Sequence, residues 1–200
     1  MEPFKPDIEE LNHFVVAGLV TAAALTAYHH SVELISVGSY LLIGFLVILA
    51  RELGQRTIAQ WMRGDTELHL SVKGSIVTII GAIIAVITQL PVILLFPVYN
   101  SYSMKGYENW EKSINAMWIK REMQIITGGL IALFLGWFIS LQLGYTAAAQ
   151  AFALFALFQL LPFDYPSIPT GKLDGATILR FNSFRWLVFF ALALIALALV

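Results

Sequence analysis

The sequence predicts an all-α polytopic membrane protein with about five transmembrane helices, a re-entrant hydrophobic hairpin and a short strand. These form one integral membrane domain over residues 1–200, with its core at about 32–180. Three observations carry the prediction. Hydrophobic residues make up 58% of the 200-residue chain and charged residues 12%. Ordinary soluble domains run near 45–50% and about 25%, so this chain has too little polar surface to coat a water-soluble globule. Its apolar residues fall in long, nearly charge-free blocks, and the mean hydropathy is +0.77. Its Lys and Arg residues gather in some connecting segments and are absent from others. The net charge of -1 argues against a nucleic-acid partner. The absence of cysteine excludes disulfides, thiolate zinc sites and cysteine nucleophiles. The stretch Met1–Asn12, with Glu2, Asp7, Glu9 and Glu10 against one Lys5, does not read as the basic start of a cleaved signal peptide.

Each span follows from the roughly 20 apolar residues that a helix needs to cross a bilayer. The first runs from about Leu11 to His29. After the short connection His29-His30-Ser31, the second runs from about Val32 to Met62 and carries Arg51-Glu52-Leu53-Gly54-Gln55-Arg56 to the edge of the hydrocarbon. In Asp65–Lys73, Glu67, His69 and Ser71 alternate with Leu68, Leu70 and Val72, the period of a strand. Gly74–Val98 is apolar again but is broken by Pro91 and Pro97. Asn100–Arg121 reads as a polar loop whose Tyr102, Tyr107, Trp110 and Trp118 suit a headgroup interface. Further spans are expected at about Met123–Leu141, Tyr145–Leu161 and Phe184–Val200. Between the last two, Phe163–Gly175 holds Pro166, Pro169 and Gly171, directly after Pro162, and excludes a regular helix. Ala149, Ala153 and Ala156 suit close helix approach. The four histidines read as interfacial or hydrogen-bonded groups rather than ligands.

Polar residues inside apolar blocks are costly and mark functional positions. Two clusters qualify: Arg51-Glu52-Leu53-Gly54-Gln55, and Leu161-Pro162 followed by Leu173-Asp174-Gly175. Together they resemble the site-2 protease family of intramembrane zinc metalloproteases, which carries H-E-x-x-H on a membrane helix and a later N-x-x-P…L-D-G element. Gly128-Gly129 is similar to that family's small-residue motif at the start of a core helix. The resemblance spans about Phe4 to Arg180. It implies a site-2-protease-like core in which Glu52 matches the catalytic glutamate and Asp174 the aspartate ligand. The chain departs from the pattern at Arg51 and Gln55, which stand at the two histidine positions, and at Gln159, which replaces the asparagine.

In the H-E-x-x-H motif zinc is held by lone pairs from two histidines one turn apart. A guanidinium stays protonated and offers none, and an amide oxygen is a poor zinc ligand. Arg51, Gln55 and Asp174 are therefore vestigial metal positions, Glu52 and Asp174 a vestigial catalytic pair, and zinc is not expected. The resemblance further implies that Arg51 faces Asp174 with no metal between them, and that Gln55 donates its amide to Glu52 or Asp174. It also implies that an edge strand, here Glu67, His69 and Ser71, receives extended peptide. The function implied is a catalytically inactive pseudoprotease of the membrane that binds transmembrane segments or partner membrane proteins. The alternatives are an active intramembrane metalloprotease with an altered site and a structural subunit of a membrane complex. Membrane lipids are the remaining partners.

Six full crossings would put Asp174 and the end of the second helix on opposite faces. If Gly74–Val98 instead dips in and returns, the Lys and Arg residues collect on one side. The loops around His29-His30 and Leu141–Gly144 hold none. By the positive-inside tendency the charged side is cytoplasmic, with the N-terminus inside and the C-terminus outside.

Overall fold

A computed structural model describes residues 7–30, 33–62, 64–104, 114–163 and 173–200. These form seven helices and one two-stranded sheet. In order they are α1 (Ile8–Tyr28), α2 (Leu34–Trp61), β1 (Gly64–Leu70), α3 (Val72–Thr88), β2 (Val98–Met104), α4 (Ile114–Gln142), α5 (Thr146–Gln159), α6 (Asp174–Phe181) and α7 (Ser183–Ala198). Among the described residues, α1, α2 from Ile35 and α4 from Lys120 are long and apolar enough to cross a membrane. Their outward faces carry large apolar side chains such as Leu42, which is 62% exposed.

Helix α2 is the centre of the bundle and packs most extensively against α4 and α1. The α2–α4 contact is close because both helices present glycine. A Cβ on Gly54 would lie 2.4 Å from the Gly128 carbonyl oxygen, and one on Gly128 would lie 2.7 Å from that of Gly54. Small residues that let two backbones approach are the usual basis of such contacts. Helix α5 is buried along most of its length, including Ala149, Ala153, Phe155 and Ala156. The expected spans at 145–161 and 184–200 are shorter than predicted, at 14 and 16 helical residues. Burial of α5 by its neighbours explains why an apolar segment too short to cross on its own is accommodated.

The apolar segment after β1 leaves and returns to the same end of the bundle. Ser71 N–H donates to the Pro97 carbonyl at 2.9 Å, and β1 pairs antiparallel with β2 from Gly64↔Met104 to Leu70↔Val98. Helix α3 stops at Gln89, whose φ of 57° is left-handed, and Pro91 prevents helix from resuming. The chain then runs back along α3. Leu94 lies against Gly81, and Phe96 N–H donates to Thr78 Oγ1 at 3.0 Å. Seventeen helical residues at about 1.5 Å each rise about 25 Å, a length that seven or eight extended residues at about 3.3 Å cover.

Three local expectations are corrected. Ser71 does not lie on the strand: β1 ends at Leu70, and the Ser71 side chain caps α3 by accepting from Gly74 N–H at 3.1 Å. Asn100 and Tyr102 belong to a second strand rather than a loop, because β1 supplies an edge for them to pair with. Helix α4 begins at Ile114, well before Met123. Its Lys120, Arg121 and Glu122 are carried on a helix end, where apolar periodicity gives no signal. The expectations for Tyr107, Trp110 and Gly171 lie outside the described residues.

Candidate functional site

Four elements converge at the end of α2. Arg51, Glu52, Gln55 and Arg56 occupy one to two turns of α2, where residues three and four apart share a face. The inward face of the β1–β2 hairpin lies over them with Thr66, Asn100 and Tyr102. The fourth element is the start of α6, where Asp174 is the first helical residue. Gly175 allows this placement: a Cβ there would lie 2.0 Å from the Leu160 carbonyl oxygen, so any larger residue would push α6 off the end of α5.

Arg51 is buried, and each of its three guanidinium nitrogens donates a hydrogen bond. Nη2 donates to Asp174 Oδ1 and Oδ2, each at 2.9 Å, Nε donates to Oδ2 at 3.1 Å, and Nη1 donates to Asn100 Oδ1 at 2.5 Å. This fork-to-carboxylate geometry is available to arginine and not to lysine. Gln55 Nε2 donates to the same Asp174 carboxylate at 3.2 Å. Asn100 links the two halves of the cluster, since its Nδ2 donates to Glu52 Oε2 at 2.6 Å. Glu52 Oε1 accepts from Arg56 Nε at 2.6 Å and from Thr66 Oγ1 at 3.3 Å. The Tyr102 hydroxyl donates to Gln55 Oε1 at 3.4 Å. Burial, reinforced by the nearby Asp174 carboxylate, raises the Tyr102 phenol well above its ordinary range and keeps it a donor. Arg56 also pairs with Glu10 of α1.

The arrangement is a closed polar network rather than a set of open ligands. A metal ion does not fit it. Where a metal would need lone pairs, Arg51 presents only N–H donors, and those donors already hold both oxygens of Asp174. No group of three or more His, Asp or Glu residues with metal-binding geometry occurs among the described residues.

Glu67 and His69 are not brought to the network. They lie on the outward face of the hairpin, where His69 stacks on Tyr99 with ring centroids 5.3 Å apart and meets Ser101 Oγ at 2.8 Å. Gln159 is 1% exposed, and neither of its amide atoms has a hydrogen-bond partner among the described residues. His29 lies at the other end of the bundle, stacked on Tyr40.

Sequence reasoning missed Asn100, Tyr102, Thr66 and Glu10. The alternation Val98, Asn100, Tyr102 was present as a signal, but its meaning depends on β1 lying beside it. No family model, curated protein or solved structure matches the chain.

Proposed function

We propose that this chain is a multi-pass membrane protein with a site-2-protease-like core in which an internal ion pair replaces the metal. We further propose that it binds transmembrane segments or partner membrane proteins without cleaving them. The observation that carries the reading is the meeting of Arg51, Gln55 and Asp174. The resemblance assigns these three positions to one metal, and they share one carboxylate across 123 residues of sequence. The positive charge of Arg51 does the structural work of the ion by holding the end of α2 against α6. It does none of the chemical work, since a guanidinium neither polarises water as a Lewis acid nor exchanges ligands. Three helices of spanning length, the apolar outer faces and the returning α3 segment support the membrane reading, with β1, β2 and the network at the cytoplasmic end.

The test is metal analysis of the purified full-length protein and of the Arg51→His/Gln55→His double variant. The parent is expected to hold no stoichiometric zinc and to leave a membrane peptide intact. The double variant rebuilds an H-E-x-x-H face opposite Asp174 and is expected to take up about one zinc per chain. A folded double variant with no more zinc than the parent would overturn the alignment. Stoichiometric zinc in the parent, or cleavage of the peptide, would favour an active enzyme instead.

A further inference from the structure

A two-stranded sheet leaves one unpaired backbone edge on each strand. The β1 edge facing away from β2 can be located from the ladder. Ser71 N–H bonds to Pro97, and strand alternation then turns the N–H and C=O of Leu68, three residues earlier, to the opposite edge. That edge is covered by side chains of α1. Leu68 N–H donates to Glu10 Oε1 at 2.9 Å, and the Leu68 carbonyl oxygen lies 3.3 Å from His13 Nδ1. Glu10 and His13 are one helical turn apart on a shared face. Between them they engage both backbone groups of one residue, as the next strand of a sheet would. The same Glu10 oxygen pairs with Arg56, which pairs in turn with Glu52. The cover is therefore joined to the Arg51–Asp174 network through side-chain contacts.

Proteins commonly cover strand edges to stop edge-to-edge association. A paired strand makes such a cover with a run of backbone bonds. Here it is two side chains acting on one residue, and an extended peptide can offer the same donor and acceptor to Leu68. We propose that Glu10 and His13 form an internal strand mimic that closes the outer edge of β1. An extended segment of a partner membrane protein takes that edge only by displacing them. The partner class rests on the function proposed above, whereas the closure of the edge by α1 does not.

Amide hydrogen exchange at Leu68 in the full-length protein reads the closure directly. The probe is a synthetic peptide of alternating valine and threonine with lysine at both ends, and the Ser71 amide, bonded to Pro97, reports whether the hairpin is folded. In the parent, Leu68 is expected to be protected with or without peptide. In Glu10→Ala/His13→Ala it is expected to exchange at least about tenfold faster, and the peptide is expected to restore protection. Unchanged Leu68 exchange in this variant overturns the closure. So does a peptide that slows Leu68 exchange in the parent as much as in the variant. Faster exchange that the peptide cannot reverse reduces the contact to a fixed cover and overturns the exchange with a partner. If Ser71 protection is also lost, Glu10→Gln and His13→Ala singly carry the test. Each is expected to give a smaller acceleration, and no acceleration in either rejects the proposal. A failure of the function proposed above would show separately, as zinc in the parent or cleavage of a membrane peptide, with Leu68 exchange unaffected.

Discussion

Arg51 and Asp174 lie 123 residues apart in the chain and form a buried, two-oxygen ion pair, with side chains 1% and 5% exposed. Desolvating two charges costs nearly what their attraction returns, so such a pair adds little stability relative to apolar residues of similar shape. Removing one partner strands the other and costs about 3–5 kcal/mol. Arg51→Ala and Asp174→Ala are each expected to destabilise by about that amount, and Arg51→Leu with Asp174→Leu by much less than the sum of its single changes. A double-mutant cycle measured by denaturant unfolding in detergent checks this. Additive losses would show that the two side chains do not depend on each other.

Two glycines of α2 are expected to respond oppositely to alanine. Among the described residues a Cβ on Gly38 would meet nothing within 4 Å, so Gly38→Ala gains the helix preference of alanine, about 1 kcal/mol. Gly54→Ala would place its methyl 2.4 Å from the Gly128 carbonyl oxygen. The helices must then separate, and a net loss of about 1–3 kcal/mol is expected. The same unfolding measurement on both variants checks the contrast, and a stabilised Gly54→Ala would contradict the close α2–α4 contact.

On the membrane reading proposed above, the return of the α3 segment places β1 and β2 on the same side. Because the chain has no cysteine, single cysteines can be read without background. Glu67→Cys and Ser101→Cys are expected to react with an impermeant thiol reagent added from the cytoplasmic side. Leu143→Cys, in the turn between α4 and α5, is expected to react from the other side. Labelling of positions 67 and 101 from opposite sides would mean that the segment crosses.

Gln159 buries an amide whose donor and acceptor both lack partners among the described residues. An unmade buried hydrogen bond costs about 1–3 kcal/mol, and methionine has nearly the same length and shape. Gln159→Met is therefore expected to raise stability by up to about that amount. A loss on this substitution, seen in the midpoint of denaturant unfolding, would mean that the amide has a partner in the folded protein.

The sequence alone determined the apolar blocks of α1, α2 and α4 and the break at Pro91 and Pro97. These depend on local composition and on the fixed φ of proline, whereas the facing of Arg51 toward Asp174 was an expectation from the resemblance, and the contact itself is seen only in the tertiary structure. The sequence also showed that Arg51 offers a metal no lone pair and Gln55 only a weakly ligating amide oxygen, which is a property of the side chains themselves. Only the tertiary structure decided that Asn100 joins Arg51 to Glu52, that Tyr102 reaches Gln55, and that Glu10 and His13 hold Leu68. It also moved Ser71 from the strand to the cap of α3 and showed α5 to be short and enclosed. The physical reason is common to these cases. Hydropathy reports how much water a segment avoids, whereas the partner of a polar side chain depends on which distant backbone approaches within about 3 Å. For the α2–α4 and α5–α6 contacts that approach is set by Gly54, Gly128 and Gly175.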